Sequence, residues 1–268
     1  MKQKKSVYAP SRAIYDLHEC RFYHTMDLPG LGCIPGHWDL RTNLESYLAK
    51  VEFSGKRVLD IGTANGCLCF EMEKRGASVV GFDLSEDYDW DIVPFGGKQD
   101  DKAMEIKKEN IRRLNNAWWL AHRLLNSRAK VVYGSVYQIP SAVGQFDIAV
   151  LGCILLHLRD PFQALAQVAP LVKETIIVAD IMPEPVDRVF DKEFSLTSEE
   201  IKNHRPYMTF IPEKNKPKPN DTWWQMHPYT VACFLEVLGF DEFSIVYHKQ
   251  FCVVADRHLD LYSLVAKK

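Results

Sequence analysis

The sequence predicts an α/β fold, a doubly wound and mostly parallel sheet of seven strands with helices on both faces. Two observations predict it. From Lys56 onward, short apolar runs of strand length alternate with longer stretches of helical periodicity, and that alternation places parallel strands in one sheet under covering helices. Apolar residues make up 47% and charged residues 25% of the 268 residues, enough to bury a sizeable core and too apolar for a disordered or fibrous chain.

The strand candidates come in order: Arg57 to Ile61, Ser78 to Phe82, Lys130 to Tyr133, Phe146 to Leu151 and Thr175 to Asp180, each an apolar run bounded by Gly, Asp or a turn. Helical segments separate them. Cys67 to Arg75 follows the first strand, Ala103 to Asn126 precedes the third, and Pro161 to Leu171 follows the fourth, with Pro161 suited to a first helical turn. Trp118 and Trp119 fall within the second of these helices and are expected in the core. Prolines 183, 185, 206, 212, 217 and 219 then break a stretch with a Lys/Asn-rich centre, which reads as an insertion or lid after the fifth strand, at about 183–226. Tyr229 to Leu238 reads as a helix stopped by Gly239, and Glu242 to His248 with Leu259 to Ala266 as a closing hairpin that turns near Val254 to Arg257. Residues 1–50 form an N-terminal cap segment ahead of a core spanning 51–268.

With 33 basic and 35 acidic side chains the net charge is -2, so no protein-wide positive field exists for gripping nucleic acid. The seven cysteines are an odd set without a Cys-x-x-Cys pair, which suits a reducing compartment and suggests neither a disulfide framework nor a zinc knuckle; no metal is expected. Lys2, Lys4 and Lys5 have no apolar stretch behind them, and no later segment is apolar for long enough to cross a bilayer. A cytoplasmic protein without a membrane partner is the expectation.

The most informative segment is Val58-Leu59-Asp60-Ile61-Gly62-Thr63-Ala64-Asn65-Gly66, a strand running into a glycine-containing turn and a helix. Gly62 and Gly66 allow a tight turn and close approach of backbone to a ligand, and the helix that follows offers free N–H groups. The spacing is Gly-x-x-x-Gly, not the Gly-x-Gly-x-x-Gly whose middle glycine makes room for a pyrophosphate. Asp60 at the strand tip repels a diphosphate and attracts a cation. Asp83 ends the second strand, where an acidic side chain accepts hydrogen bonds from a ribose diol. The loop therefore suits a phosphate-free, cationic nucleoside.

This order of strand, Asp-x-Gly-x-x-x-Gly, helix, strand and Asp resembles the class I S-adenosylmethionine-dependent methyltransferases, over roughly Lys56 to Lys268. The resemblance implies a Rossmann-like fold, S-adenosylmethionine as cofactor and S-adenosylhomocysteine as product. It implies that Gly62, Thr63, Ala64 and Gly66 wrap the methionine part, that Asp60 faces its ammonium group, and that Asp83 holds the ribose hydroxyls with Leu84 against the adenine. Ser135 stands where the family often has an acid for the adenine amino group, so its hydroxyl or the Val136 backbone takes that place, and Gly152-Cys153 approach the methionine moiety. Three further stretches, Leu155 to Pro161, Leu28 to Asp39 and Asn220 to Trp224, resemble a subgroup related to the tRNA wobble-uridine methyl and carboxymethyl transferases.

Methyl transfer is an in-line displacement, so positioning is the protein's main task, and an amine or hydroxyl nucleophile must also lose a proton. His157, after the fourth strand, is the first candidate base, and Asp180 at the tip of the fifth is the second. Trp38 and Trp223, among the aromatics that flank the core, are candidate walls of an acceptor pocket, and Arg159 a candidate partner for a carboxylate. The leading expectation is a methyltransferase acting on an O or N nucleophile of a small molecule. A tRNA-modifying enzyme is the alternative, drawn from the subgroup resemblance and from Lys202, His204, Arg205, Lys214, Lys216 and Lys218 in the insertion. A nonenzymatic scaffold that keeps the cofactor fold is the third.

Overall fold

A computed structural model describes residues 6–97, 101–186, 188–204, 206–216 and 218–268. Arg205, one of the insertion's basic residues, lies outside the described residues.

The chain opens with three short strands, β1 (Met26–Leu28), β2 (Gly32–Ile34) and β3 (Trp38–Asp39), and a single turn of helix, α1 (Leu44–Tyr47). The alternating part follows as β4 (Arg57–Ile61), α2 (Cys67–Lys74), β5 (Ser78–Asp83), α3 (Asp101–Leu124), β6 (Lys130–Tyr133), β7 (Phe146–Gly152), α4 (Pro161–Val168) and β8 (Val172–Ile181). The insertion carries β9 (Glu193–Leu196), α5 (Ser198–Asn203), β10 (Met208–Phe210) and β11 (Trp224–Met226), and α6 (Pro228–Val237), β12 (Glu242–Cys252) and β13 (Arg257–Lys267) close the chain.

The main sheet runs β3-β12-β13-β8-β7-β4-β5-β6, and β9 also pairs with β12. All seven expected strands are present, but among the described residues the sheet has nine strands and is mixed. Four pairings among β4 to β8 are parallel, whereas every pairing of β12 and β13 is antiparallel. The two added strands cover the outer edge of β12: β9 pairs with Phe243 to Val246, and the two-residue β3 with Phe251 and Cys252, where β12 runs past its expected end at His248.

Period-two alternation sends successive residues to opposite faces. Val58, Ile148 and Ile177 pack under α2, α3 and the N-terminal segment, with Trp118 fully buried among them; Leu59, Ala149 and Ile176 pack under α4 and α6. Helices therefore cover both faces, as expected of a doubly wound sheet. Local chemistry fixes the helix starts: Asp160 accepts from the Gln163 amide at 2.9 Å ahead of Pro161, and Thr197 with Glu200 forms a capping box on α5.

From β4 the chain adds β5 and β6 to one side, and β7 and β8 to the other. The order thus reverses between β4 and β7, and in open α/β sheets ligands bind outside the strand ends at such a switch point.

Candidate functional site

A cleft of about 310 Å³ opens at that switch point, within the size range of small-molecule sites. Of the expected cofactor residues, Gly62, Ala64, Asp83, Leu84, Ser135, Val136, Gly152 and Cys153 line it, as does His157. Asp60, Thr63, Gly66 and Asp180 do not, nor do Trp38, Arg159 and Trp223.

Backbone conformation shapes the floor. Gly62 has φ 76°, and a Cβ there would sit 2.6 Å from Ile154 Cδ1, so the turn that carries β4 into the cleft needs a glycine. Gly66 serves packing instead: it caps α2 at φ 83°, and Phe70 and Trp118 occupy the space where a Cβ would stand. Thr63 faces β5, against Gly81.

The acids differ in how they are held. Asp83 accepts from the Ala64 and Leu84 amides, both at 2.7 Å, yet burial still pushes its carboxyl up to about 6. Asp60 is 1% exposed; the Thr63 hydroxyl and Cys69 amide lie near without closing a well-formed hydrogen bond, and burial with the Asp83 charge pushes it up to about 7. Asp180 accepts from the Ile181 amide at 2.8 Å, its other oxygen has no partner, and burial pushes it up to about 7. Rather than facing the cleft, it lies close enough to Cys153 for its charge to raise that thiol. Cys153 itself holds φ 49° and lies 3.6 Å from the Tyr47 hydroxyl.

His157 Nδ1 lies 2.5 Å from the Asp221 carbonyl oxygen. A carbonyl only accepts, so Nδ1 carries the proton and Nε2 keeps its lone pair. Burial lowers the ring's pKa, which keeps the imidazole neutral. Asp221 comes from the insertion and is ion-paired with Lys107 of α3.

The three candidate substrate residues are placed by packing. Trp38 sits in β3, buried against β12. Trp223 Nε1 donates to the Asp91 carbonyl at 2.9 Å, and the Arg159 guanidinium lies 5.2 Å from its ring centre. These contacts tie the end of the insertion to the segment after β5.

The N-terminal strap supplies a wall of the cleft: Tyr23, one of the aromatics that flank the core, lines it, and so do Arg21, His24 and His37, which sequence reasoning missed. Asn65, inside the glycine loop, holds the strap there. Its Oδ1 accepts from the Tyr23 and His24 amides at 3.1 and 2.9 Å, and its Nδ2 donates to the His24 carbonyl at 3.0 Å. An Asn in a turn has too many ordinary uses to signal this.

Away from the cleft, Glu184, His204 and His227 bring possible metal-ligand atoms within 4.8 Å of one another. His227 Nδ1 accepts the Tyr229 amide at 3.3 Å, which puts the ring's proton on Nε2, 3.5 Å from Glu184. A nitrogen bearing that proton has no lone pair for an ion.

The family described as "Methyltransferase domain" matches residues 38–178, more than half of the chain and the part that holds β4 to β7. The chain belongs to this methyltransferase family. Among solved structures, this methyltransferase is similar to the magnesium protoporphyrin IX methyltransferase of Synechocystis PCC 6803 (15% identity, 84% of this chain and 81% of that chain, TM-score 0.48). It is also similar to a putative S-adenosylmethionine-dependent methyltransferase of Listeria monocytogenes (16% identity, 85% and 97%, TM-score 0.48) and to the 1,6-didemethyltoxoflavin-N1-methyltransferase of Burkholderia thailandensis (14% identity, 80% and 72%, TM-score 0.45). No curated protein matches the chain. Among the described residues, no helix is long and apolar enough to cross a membrane.

Proposed function

We propose that this methyltransferase uses S-adenosylmethionine to methylate an O or N nucleophile of a small molecule. The observation that carries the reading is Asp83, a part-buried carboxylate at the tip of β5 whose oxygens, among the described residues, meet only backbone amides and which lines the cleft. Each carboxylate oxygen retains a lone pair for a ribose hydroxyl. The residues fit the cofactor: Gly62 keeps the floor open, Asp83 takes the diol, Leu84 and Val136 supply apolar contact for adenine, and Ser135 a hydroxyl.

When bound, the cofactor supplies an electrophilic methyl group on a sulfonium. The chain's own work is positioning, water exclusion and proton removal. Gly152 and Cys153 shape the wall beside the glycine loop, and the Asp221 carbonyl holds His157 in the tautomer whose Nε2 accepts a proton from the acceptor. Asp180 is set back from the cleft, beside Cys153. Residues 6–50 serve as a cap through the Asn65 clamp.

No observation favours a nucleic-acid acceptor. Lys216 is paired with Glu213, and His204 stacks on His227 and Tyr229, so these two basic groups of the insertion are engaged within the protein.

Calorimetry with S-adenosylhomocysteine tests the reading. Binding is expected, and Asp83→Ala is expected to weaken it by about 1–3 kcal/mol through unpaired ribose hydroxyls. No heat at high ligand concentration defeats the cofactor assignment; an unchanged affinity in the variant defeats the role of Asp83.

A further inference from the structure

Among the Arg and Lys side chains that line the cleft, Lys107 is paired with Asp221. Arg21 is different: among the described residues it forms no ion pair with any carboxylate. Its Nη2 instead donates to His37 Nε2 at 3.2 Å. A guanidinium only donates, so His37 Nε2 is the acceptor, and burial together with the Arg21 charge keeps that ring neutral. His37 therefore orients the guanidinium without neutralising it. The Arg21 amide donates to the Arg113 carbonyl at 3.0 Å, which fixes this part of the strap to α3.

A second observation points to a ligand at the same wall. His24 is 7% exposed and lines the cleft, and its buried Nδ1 has no hydrogen-bond partner. Burial pushes its pKa down to about 4, so the group is a neutral donor or acceptor awaiting a partner. His24 is clamped by Asn65, between Gly62 and Gly66, so the pair stands at the glycine-loop end of the cleft. Asp83 and Leu84 stand at the other, with Leu84 held by Asn115.

We propose that Arg21, oriented by His37 and joined by His24, is a carboxylate-binding subsite that takes the amino-acid carboxylate of the cofactor. An unneutralised guanidinium and an unpartnered imidazole nitrogen match the two oxygens of a carboxylate. A carboxylate on the acceptor has the same chemistry, but the pair stands at the glycine-loop end of the cleft, where the cofactor reading puts the amino-acid end. The proposal rests on the cofactor reading above and extends it to residues outside the matched family region, 38–178.

The test compares S-adenosylhomocysteine with 5′-methylthioadenosine, which keeps the nucleoside and thioether and lacks the amino-acid end. Affinities for both are measured on the wild type, Arg21→Met and Arg21→Lys. The proposal expects Arg21→Met to weaken S-adenosylhomocysteine about tenfold to a hundredfold, from loss of a charged hydrogen bond. Binding of 5′-methylthioadenosine is expected to change less than threefold, which also reports that the variant is folded, and Arg21→Lys is expected to recover part of the loss. Equal weakening of both ligands makes Arg21 structural and overturns the subsite. Unchanged S-adenosylhomocysteine binding overturns it as well, and leaves the guanidinium to an acid group on the acceptor. If the wild type binds neither ligand, the cofactor reading itself falls.

Discussion

Asp60→Asn isolates the energetic consequence of a buried carboxyl beneath the glycine loop. Asp60 is 1% exposed, and burial pushes its carboxyl up to about 7 from the ordinary 3.8 of an aspartate. A raised carboxyl pKa means that the native state holds its proton while the unfolded chain has released it, so stability falls as pH rises from about 4 through 7. The displacement is about three units, and at about 1.4 kcal/mol per unit the full cost approaches about 4 kcal/mol. Between pH 4.5 and 7.5 it changes by roughly 3 kcal/mol. Asparagine keeps the shape and carries no charge at either pH. Urea unfolding of both proteins at the two pH values is the assay, and the difference between them cancels the contributions of the buried histidines. The stability of Asp60→Asn relative to wild type is expected to rise by roughly 3 kcal/mol from the lower pH to the higher. A difference that stays constant to within about 1 kcal/mol refutes the assignment of a buried, uncompensated carboxyl.

Two further substitutions address the geometry of the loop. Gly62→Ala forces φ 76° on a residue with a Cβ and presses on Ile154 Cδ1; because that contact is the mobile end of a side chain, the backbone term dominates, and a loss of about 1–2 kcal/mol is expected in thermal unfolding together with weaker S-adenosylhomocysteine binding. Full retention of both would show that the turn tolerates side chains. Asn65→Ala leaves the buried Tyr23 and His24 amides and the His24 carbonyl without their partner, a loss of about 3 kcal/mol or more, and limited proteolysis is expected to cut the N-terminal strap faster than in wild type. An unchanged cleavage rate would show that the strap is held by other contacts.

The alternating half of the fold was legible because it is local. β4, β5, β7 and α2 each begin where a turn residue meets an apolar run, and their predicted ends lie within a residue of those observed. β3 and β9 were not legible: strands of two and four residues owe their existence to the exposed edge of β12, which is a tertiary fact. The site divides in the same way. Gly62 and Asp83 announce themselves through spacing after consecutive strands, whereas Arg21 and His24 reach the cleft only because Asn65 and Arg113 hold a distant segment there. Trp38 and Trp223 show the opposite error, since an aromatic-rich flank reads the same whether its rings line a pocket or pack beneath it.

The charges around the cleft sort themselves by whether the protein has already answered them. Asp221 is answered by Lys107, Asp89 by Lys108 at 3.5 Å, and Asp91 by the Tyr137 hydroxyl and the Arg159 amide. Among the described residues, Asp83 has only backbone amides, Asp60 lies uncompensated behind the loop, and Arg21 has only a neutral imidazole. The complement of the two groups that face the cleft, Asp83 and Arg21, is a molecule with a diol at one end and a carboxylate at the strap. A dinucleotide supplies a diol, but it brings phosphate charge towards Asp83 and offers Arg21 and His24 no carboxylate. An amino-acid-bearing nucleoside meets both, and it does so with residues drawn from β5 and the strap, which share no local sequence constraint.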